Sequence, residues 1–356
     1  MSVKSKPKDI FFELIPDKII EYILIQYDIK NWSIIPFFSL NKTVMDLNQR
    51  TNTSRKVLIR VKNKIFFLKE FPWYCSNKKF IESELNFINF LHNHNFKVVN
   101  IMKSLKKEFF SSFNKKYYFL SNFIEGESWT KSVQESKNAG IFLGKFHKLS
   151  YKYKKNCISF KTENVFDSAE KMLNLAANYF SNKFKNNKYF KEYLIFSQNI
   201  LLINKNKVIK KGYFNLTLPI HGDYNPFNLI FSKKKDIIAL IDFDNFCFDN
   251  PVHDIAEGLI RFSYLKFGKL TSNYEDIPNE YNKEHAVSFI NSYKKFNPLI
   301  YSKIKNYIKE VCIILAIEFS ALGILCDYYE PEKIKLLLKS IKNLEKETNN
   351  IFKFIN

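Results

Sequence analysis

Arginine is the first scarcity. The 356-residue chain carries 56 lysines and arginines against 35 acidic residues, for a formal net charge of +21, yet arginine occurs only at Arg50, Arg55, Arg60 and Arg261. Nucleic-acid readers lean on the planar arginine fork for phosphate and base contacts. A lysine-dominated excess spread along an Asn-, Ile-, Phe- and Tyr-rich chain reads instead as a solvated surface, and it argues against a nucleic-acid partner. Glycine (8) and proline (10) are also few, so no linker or low-complexity tract separates domains, and no internal repeat is present. The five cysteines (Cys75, Cys157, Cys247, Cys312, Cys326) are odd in number and lack C-x-x-C spacing. That excludes a disulfide framework or a cysteine zinc site and fits a reducing cytoplasm. No uninterrupted apolar stretch reaches membrane-spanning length, and the basic start is not followed by a signal-peptide core.

What is present divides into two regions. Residues 17–27 place Ile19, Ile20, Ile23, Leu24 and Tyr27 on one helical face. Short β-branched or aromatic runs at 33–39, 56–62 and 64–71 predict strands, followed by a helix over 78–93 and further strands near 105–110 and 116–124. The expectation is a mixed sheet of five strands with one inserted helix. After Gly126 the pattern turns helical, over 135–150, 163–182, 187–202, 252–267, 284–296, 300–326 and 331–352. A strand–loop–strand stretch interrupts it at 216–250. The predicted organisation is a helical extension (1–30), a β-rich amino lobe (31–126) and a helical carboxy lobe (127–356), with ligands in the cleft that two lobes imply.

The chemistry concentrates in one segment. His221-Gly222-Asp223-Tyr224-Asn225-Pro226-Phe227-Asn228 runs into an apolar strand, a Lys/Asp turn and a second apolar strand ending Ile241-Asp242-Phe243-Asp244. Phosphoryl transfer needs one carboxylate to orient the attacking hydroxyl and accept its proton, and oxygen ligands to hold Mg²⁺ against the nucleotide phosphates. Asp223 suits the first task; Asn228 and Asp242 suit the second. Either spacing alone would be worthless, but the ordered set is specific.

That set resembles the catalytic and metal-binding segments of the aminoglycoside phosphotransferase/choline kinase family, relatives of the protein kinases. The family's H-G-D-x-x-x-x-N is matched at 221–228, its I-D-F/W-D/E at 241–244, and its D-P-x-x-D-L-A-like helix start at 249–256. Residues 140–149, with His147, look like its L-x-x-L-H-x-L helix, and 118–126 look like the hinge strand beside the nucleotide base. Several expectations follow from the resemblance. The fold is α+β, bilobal and protein-kinase-like. ATP, or alternatively GTP, binds with Mg²⁺, and the γ-phosphoryl group passes to a small-molecule hydroxyl. Asp223 is catalytic, and Asn228 and Asp242 bind metal. Lys69, positioned by Glu84, reaches the α/β-phosphates, and Asn122 and Phe123 border the base. His221 and Asp254 support the catalytic loop, and Asp244 is a polar loop anchor or a second metal ligand. The phosphate-covering loop, near 47–56, departs from the glycine-rich type: it has no glycine, and Asn52, Thr53 and Ser54 stand as candidate donors. The acceptor class stays open, from aminoglycosides and choline to homoserine, sugars or a peptide Ser/Thr. A catalytically silent scaffold on the same fold is the main rival.

Overall fold

The computed structural model describes residues 15–35, 54–72, 77–153, 163–180, 184, 186–265, 281–325 and 333–355. The described residues form two compact units. One runs up to Trp129 and includes Phe227–Asp244; the other comprises Thr130–Lys154, Lys161–Pro226 and Asn245 onward.

The first unit is built on five strands, β1 (Ser33–Ile35), β2 (Lys56–Val61), β3 (Lys64–Glu70), β4 (Ser111–Phe113) and β5 (Lys116–Asn122), in the order β1-β2-β3-β5-β4. Every pairing is antiparallel, which corrects the expected mixed sheet. Each strand joins a sequence neighbour or next neighbour, so no crossover demands a parallel pair. The strand expected near 105–110 falls instead at Ser111–Phe113, where the Asn114–Lys115 turn closes a hairpin with both residues at positive φ.

Alternation gives the sheet two different faces. Val57, Ile59, Leu68, Tyr118 and Leu120 pack against Ile20, Ile23 and Leu24 of helix α1 (Asp17–Ile25). Those three helical residues are fully buried, each contributing about 1.5–3 kcal/mol over an exposed position. The opposite face carries a smaller apolar cluster, Ile35 and Leu58 with Ile65, Phe67 and Phe123. Helix α2 (Lys78–Asn93) starts at an Asn77 cap, its side chain accepting the Lys79 N–H at 3.0 Å. A hairpin of β7 (Leu229–Phe231) and β8 (Ile237–Leu240) completes the unit. It is tied in by the Val98–Leu240 and Glu127–Phe231 bridges.

The second unit is helical. Helix α3 (Val133–Ser150) opens with a capping box in which Ser132 and Glu135 satisfy each other's backbone N–H groups. It packs on α7 (Lys283–Phe296) so closely that a Cβ at Gly140 would meet the Phe289 carbonyl oxygen at 2.0 Å. Helices α4 (Val165–Phe180), α5 (Lys188–Lys210), α6 (Val252–Ser263) and α10 (Ile334–Ile355) surround α9 (Ile308–Leu325). Most α9 side chains are buried, as expected of a largely apolar helix. The helix expected over 300–326 is two: α8 (Pro298–Ile304) ends before α9 begins, with no proline or glycine to mark the break. Helix α5 continues to Lys210, eight residues past its expected end. Strands β6 (Leu218–Ile220) and β9 (Cys247–Asp249) pair antiparallel and flank the segment that carries the motifs. No described helix is long and apolar enough to cross a membrane.

Candidate functional site

In the first unit the charged residues of β3, α2 and the segment after β8 form one cluster. The Lys69 ammonium donates to Asp242 Oδ1 at 2.6 Å and to Asp244 Oδ1 at 2.5 Å. Glu84 acts on it through its field rather than a direct ion pair. Glu82, two residues earlier on α2, pairs with Lys78 at the surface. Burial would lower the Lys69 ammonium, but the fields of Asp242, Asp244 and Glu84, with the Asp242 hydrogen bond, raise it above its ordinary value. Lys69 therefore stays charged. The acids are less comfortable. Burial, then the neighbouring Asp244, holds Glu84 well above the usual carboxylate range against the pull of Lys69. Asp244 is raised by burial and Asp242, with Lys69 opposing. Three carboxylates share the site with Lys69 and Lys56, so acids outnumber bases.

Backbone geometry fixes these groups. Asp242 sits at φ 63°, the left-handed region that side-chain-bearing residues seldom adopt. The Ile241 N–H donates to the Asn228 carbonyl at 3.0 Å, so the segments bearing Asn228 and Asp242 run side by side. Phe243, buried, meets Phe87 of α2 edge-on at 6.3 Å and so ties this segment to the helix that bears Glu84. A group of three or more His, Cys, Asp or Glu suited to hold a metal is absent among the described residues. Mg²⁺ does not need one. It binds through one or two carboxylates and completes its shell with water and phosphate oxygens. The Asp242 carboxylate and Asn228 amide are hard oxygen donors in a site with surplus negative charge, and they fit that ion.

The second unit holds the other half of the motif. Asp223 is half-buried, and its Oδ1 accepts from Asn225 Nδ2 at 2.6 Å. The loop before it is braced by one buried carboxylate: Asp254, on α6, accepts the backbone N–H of His221 at 2.9 Å and of Gly222 at 2.8 Å. His147 Nε2 lies 3.1 Å from the same carboxylate, and its Nδ1 lies 3.0 Å from the Tyr293 hydroxyl. Burial would raise Asp254, but the His147 hydrogen bond and the fields of His147 and His221 hold it below the ordinary value. Gly222 has φ 76°, and a Cβ there would meet the Asn245 carbonyl oxygen at 2.2 Å, so no other residue fits. Tyr224 donates its hydroxyl to the Ala139 carbonyl at 2.9 Å, anchoring the loop to α3. At the start of α6, Asp249 accepts from the Tyr213 hydroxyl at 2.8 Å and faces His253 Nδ1 at 3.2 Å.

Of the remaining expected residues, Asn122 turns its side chain away to accept the Asn100 N–H at 2.6 Å, while Phe123 joins the apolar cluster with Leu58. Ser54 is buried; Asn52 and Thr53 lie outside the described residues. Sequence reasoning missed Asn225, the partner of Asp223, and Lys56. The latter was within reach, because the tight Lys62–Asn63 turn fixes the β2–β3 register and sets Lys56 opposite Lys69.

Comparison with known proteins agrees with this geometry. The model of the phosphotransferase enzyme family matches residues 204–270, which include both motif segments. No curated protein sequence matches the chain. Among solved structures, an amicoumacin kinase in complex with AMP-PNP, Ca²⁺ and Ami is similar, at 13% identity, 93% coverage of each chain and TM-score 0.65. The choline kinase from Cryptosporidium parvum Iowa II is 16% identical, with 90% of each chain covered and TM-score 0.60. The Plasmodium vivax ethanolamine kinase is 15% identical, covering 96% of this chain and 86% of its own, with TM-score 0.56. At these identities the structures speak for the fold, and the matched segment speaks for the chemistry. Residues 204–270 of the chain match that family, and the fold is the protein-kinase-like α+β fold.

Proposed function

We propose that this protein transfers the γ-phosphoryl group of ATP, with Mg²⁺, to a hydroxyl of a small molecule. The observation that carries the proposal is the Lys69–Asp242–Asp244–Glu84 cluster, whose buried acids outnumber their lysine partner. An excess of buried carboxylate is costly unless a cation compensates it, and Mg²⁺-nucleotide supplies that cation. When bound, Mg²⁺ draws charge from the β- and γ-phosphate oxygens.

The chain's own groups then divide the work. Asn228 and Asp242 hold the metal, and Lys69 binds α/β-phosphate oxygens as a charged donor. Glu84 keeps that ammonium in place. The apolar face of Ile35, Leu58, Ile65, Phe67 and Phe123 receives the base. Asp223 accepts the hydroxyl proton of the acceptor as its oxygen forms the new bond to the γ-phosphorus. The bond from that phosphorus to the β,γ-bridging oxygen breaks, and ADP leaves. Asn225, whose amide donates to Asp223 Oδ1, orients the carboxylate. Catalysis of this kind is positioning plus charge neutralisation. A small-molecule acceptor is supported by the chemistry named for the similar structures, which includes amicoumacin, choline and ethanolamine kinases. A cytoplasmic setting supplies ATP and suits Cys247 and Cys312, both buried cysteines outside any disulfide.

The test is ADP release with Mg²⁺-ATP across a panel of amino alcohols, aminoglycosides, sugars and homoserine, comparing the wild type with Asp223→Asn. Acceptor-stimulated turnover that disappears in the variant is the expected result. Turnover equal in the two proteins would remove Asp223 from the reaction. An inert wild type across the panel would favour a silent scaffold.

A further inference from the structure

In the helical unit, four lysines from two helices line one open cavity of about 800 Å³. Lys309 enters it from the first turn of α9, and Lys342, Lys346 and Lys353 enter from α10. Spacings of four and seven residues hold those three within about 40° of one another around the α10 axis. Like charges at i and i+4, such as Lys342 and Lys346, destabilise a helix. Glu345 is the one acid on the lining, so the cavity carries a surplus of three positive charges. Little of that surplus is neutralised by neighbours. Lys342 pairs with Glu192 of α5. Half-buried Lys309 instead donates to the neutral amide oxygen of Asn349, at 2.7 Å. Among the described residues, no carboxylate forms an ion pair with Lys309, Lys346 or Lys353. The amides of Asn349 and Asn350 add donors between the lysines, and buried Phe352 supplies an apolar wall.

We infer that this α9–α10 cavity binds a small anion carrying two or more phosphate groups. A lysine ammonium is a compact point charge with three donors, well suited to phosphate oxygens. The spread of the lysines sets the size of the ligand. Lys342 and Lys353 are eleven residues apart, about 16 Å along the helix axis, so a single phosphate cannot reach all four ammonium groups. The volume lies within the range of small-molecule sites, about 300–1,000 Å³, and favours a discrete ligand over a polymer. No residue of the 221–228 or 241–244 motifs lines the cavity, so the site is additional to the one proposed for catalysis and does not depend on it. The competing account is a solvated lysine face, ordinary in so basic a chain. It explains scattered charge, but it does not explain three like charges converging from two helices without carboxylate partners.

Calorimetric titration of the full chain with sodium tripolyphosphate separates the two. EDTA keeps divalent metal away, and an ionic strength of about 0.15 M screens scattered surface charge beyond about 8 Å. The wild type is expected to bind one tripolyphosphate saturably, and orthophosphate at least tenfold more weakly. Removing one charge-assisted hydrogen bond weakens affinity by about tenfold. Lys346→Met and Lys353→Met should each show that loss, and the double variant should show nearly complete loss. Lys346→Arg should retain most of the affinity, and Lys69→Met should bind as the wild type does. Melting temperatures confirm that each variant is folded. Equal affinity in the wild type and the double variant would overturn the proposal, as would many weak equivalent sites or no binding at all. Loss in Lys69→Met would place the anion at the Lys69 cluster and overturn it too. A single-stranded RNA oligonucleotide bound more tightly than tripolyphosphate, with the same lysine dependence, would replace the small anion by a nucleic-acid backbone.

Discussion

Two buried acidic clusters, one in each unit, are built from similar parts and are satisfied to opposite degrees. Around Asp254, one carboxylate accepts two backbone N–H groups and faces His147, and its proton affinity is held down. Around Lys69, three carboxylates crowd one fully buried lysine, and Glu84 and Asp244 are pushed up. A network in which donors meet the carboxylate charge rigidifies its surroundings. An incomplete one stores a demand for charge that a ligand can meet. The contrast supports the proposed roles, in which the Asp254 cluster braces the loop bearing Asp223 and the Lys69 cluster receives a cation and an anion.

The sharpest way to test that contrast is to remove one acid or base from each side. Asp223→Asn, on the braced loop, should lower turnover by about 10²–10⁴-fold, the span of a lost general base, with an unchanged melting temperature. Steady-state kinetics and a thermal melt together decide this. Lys69→Met should cost about 10²–10³-fold in kcat/KM, much of it as weaker Mg²⁺-nucleotide binding.

Next in size are effects on stability. Asp254→Ala breaks a buried, hydrogen-bonded carboxylate and should destabilise the fold by about 3–5 kcal/mol, read by denaturant titration. The pH dependence follows from the same carboxylate. Its folded-state proton affinity is depressed, so its contribution is complete above the unfolded value, about 4, and is lost as pH falls through the lower folded one. In Asp254→Ala, that acid-side loss below about pH 4 should shrink. Gly140→Ala, which forces a methyl against the Phe289 carbonyl, should cost about 1–3 kcal/mol without touching either cluster. The smallest effect on stability belongs to Glu84→Gln. Its ionised form is already disfavoured in the fold, so the melting temperature should hold or rise while nucleotide affinity falls. A large drop in melting temperature there would erase the distinction between the clusters.

The legibility of these features in the sequence follows their range. The strands β2 and β3 were readable because one tight turn sets their register, and that same turn places Lys56 opposite Lys69. Helix α2 was readable at both ends from its apolar period, and the structure adds its Asn77 cap. The motif order pointed to Asp223, Asn228 and Asp242, and the local pairing of Ile241 with Asn228 is a consequence of the intervening hairpin. Contacts between distant segments were not readable. Asp254 meets His221 across 33 residues and His147 across 107, and no spacing in the chain announces that they share one carboxylate. The direct pairing of Lys69 with Asp242 and Asp244, rather than with Glu84, likewise depends on how the hairpin lies against the sheet. The break between α8 and α9 was hidden for a different reason: no proline or glycine lies between them to signal it.

The most direct test of the account is to measure Mg²⁺-ATP binding and phosphoryl transfer side by side in Asp223→Asn and Asp242→Asn. The account predicts that Asp223→Asn binds Mg²⁺-ATP as the wild type does but transfers nothing, whereas Asp242→Asn loses both. Transfer surviving in Asp223→Asn, or unimpaired metal-dependent binding in Asp242→Asn, would contradict it.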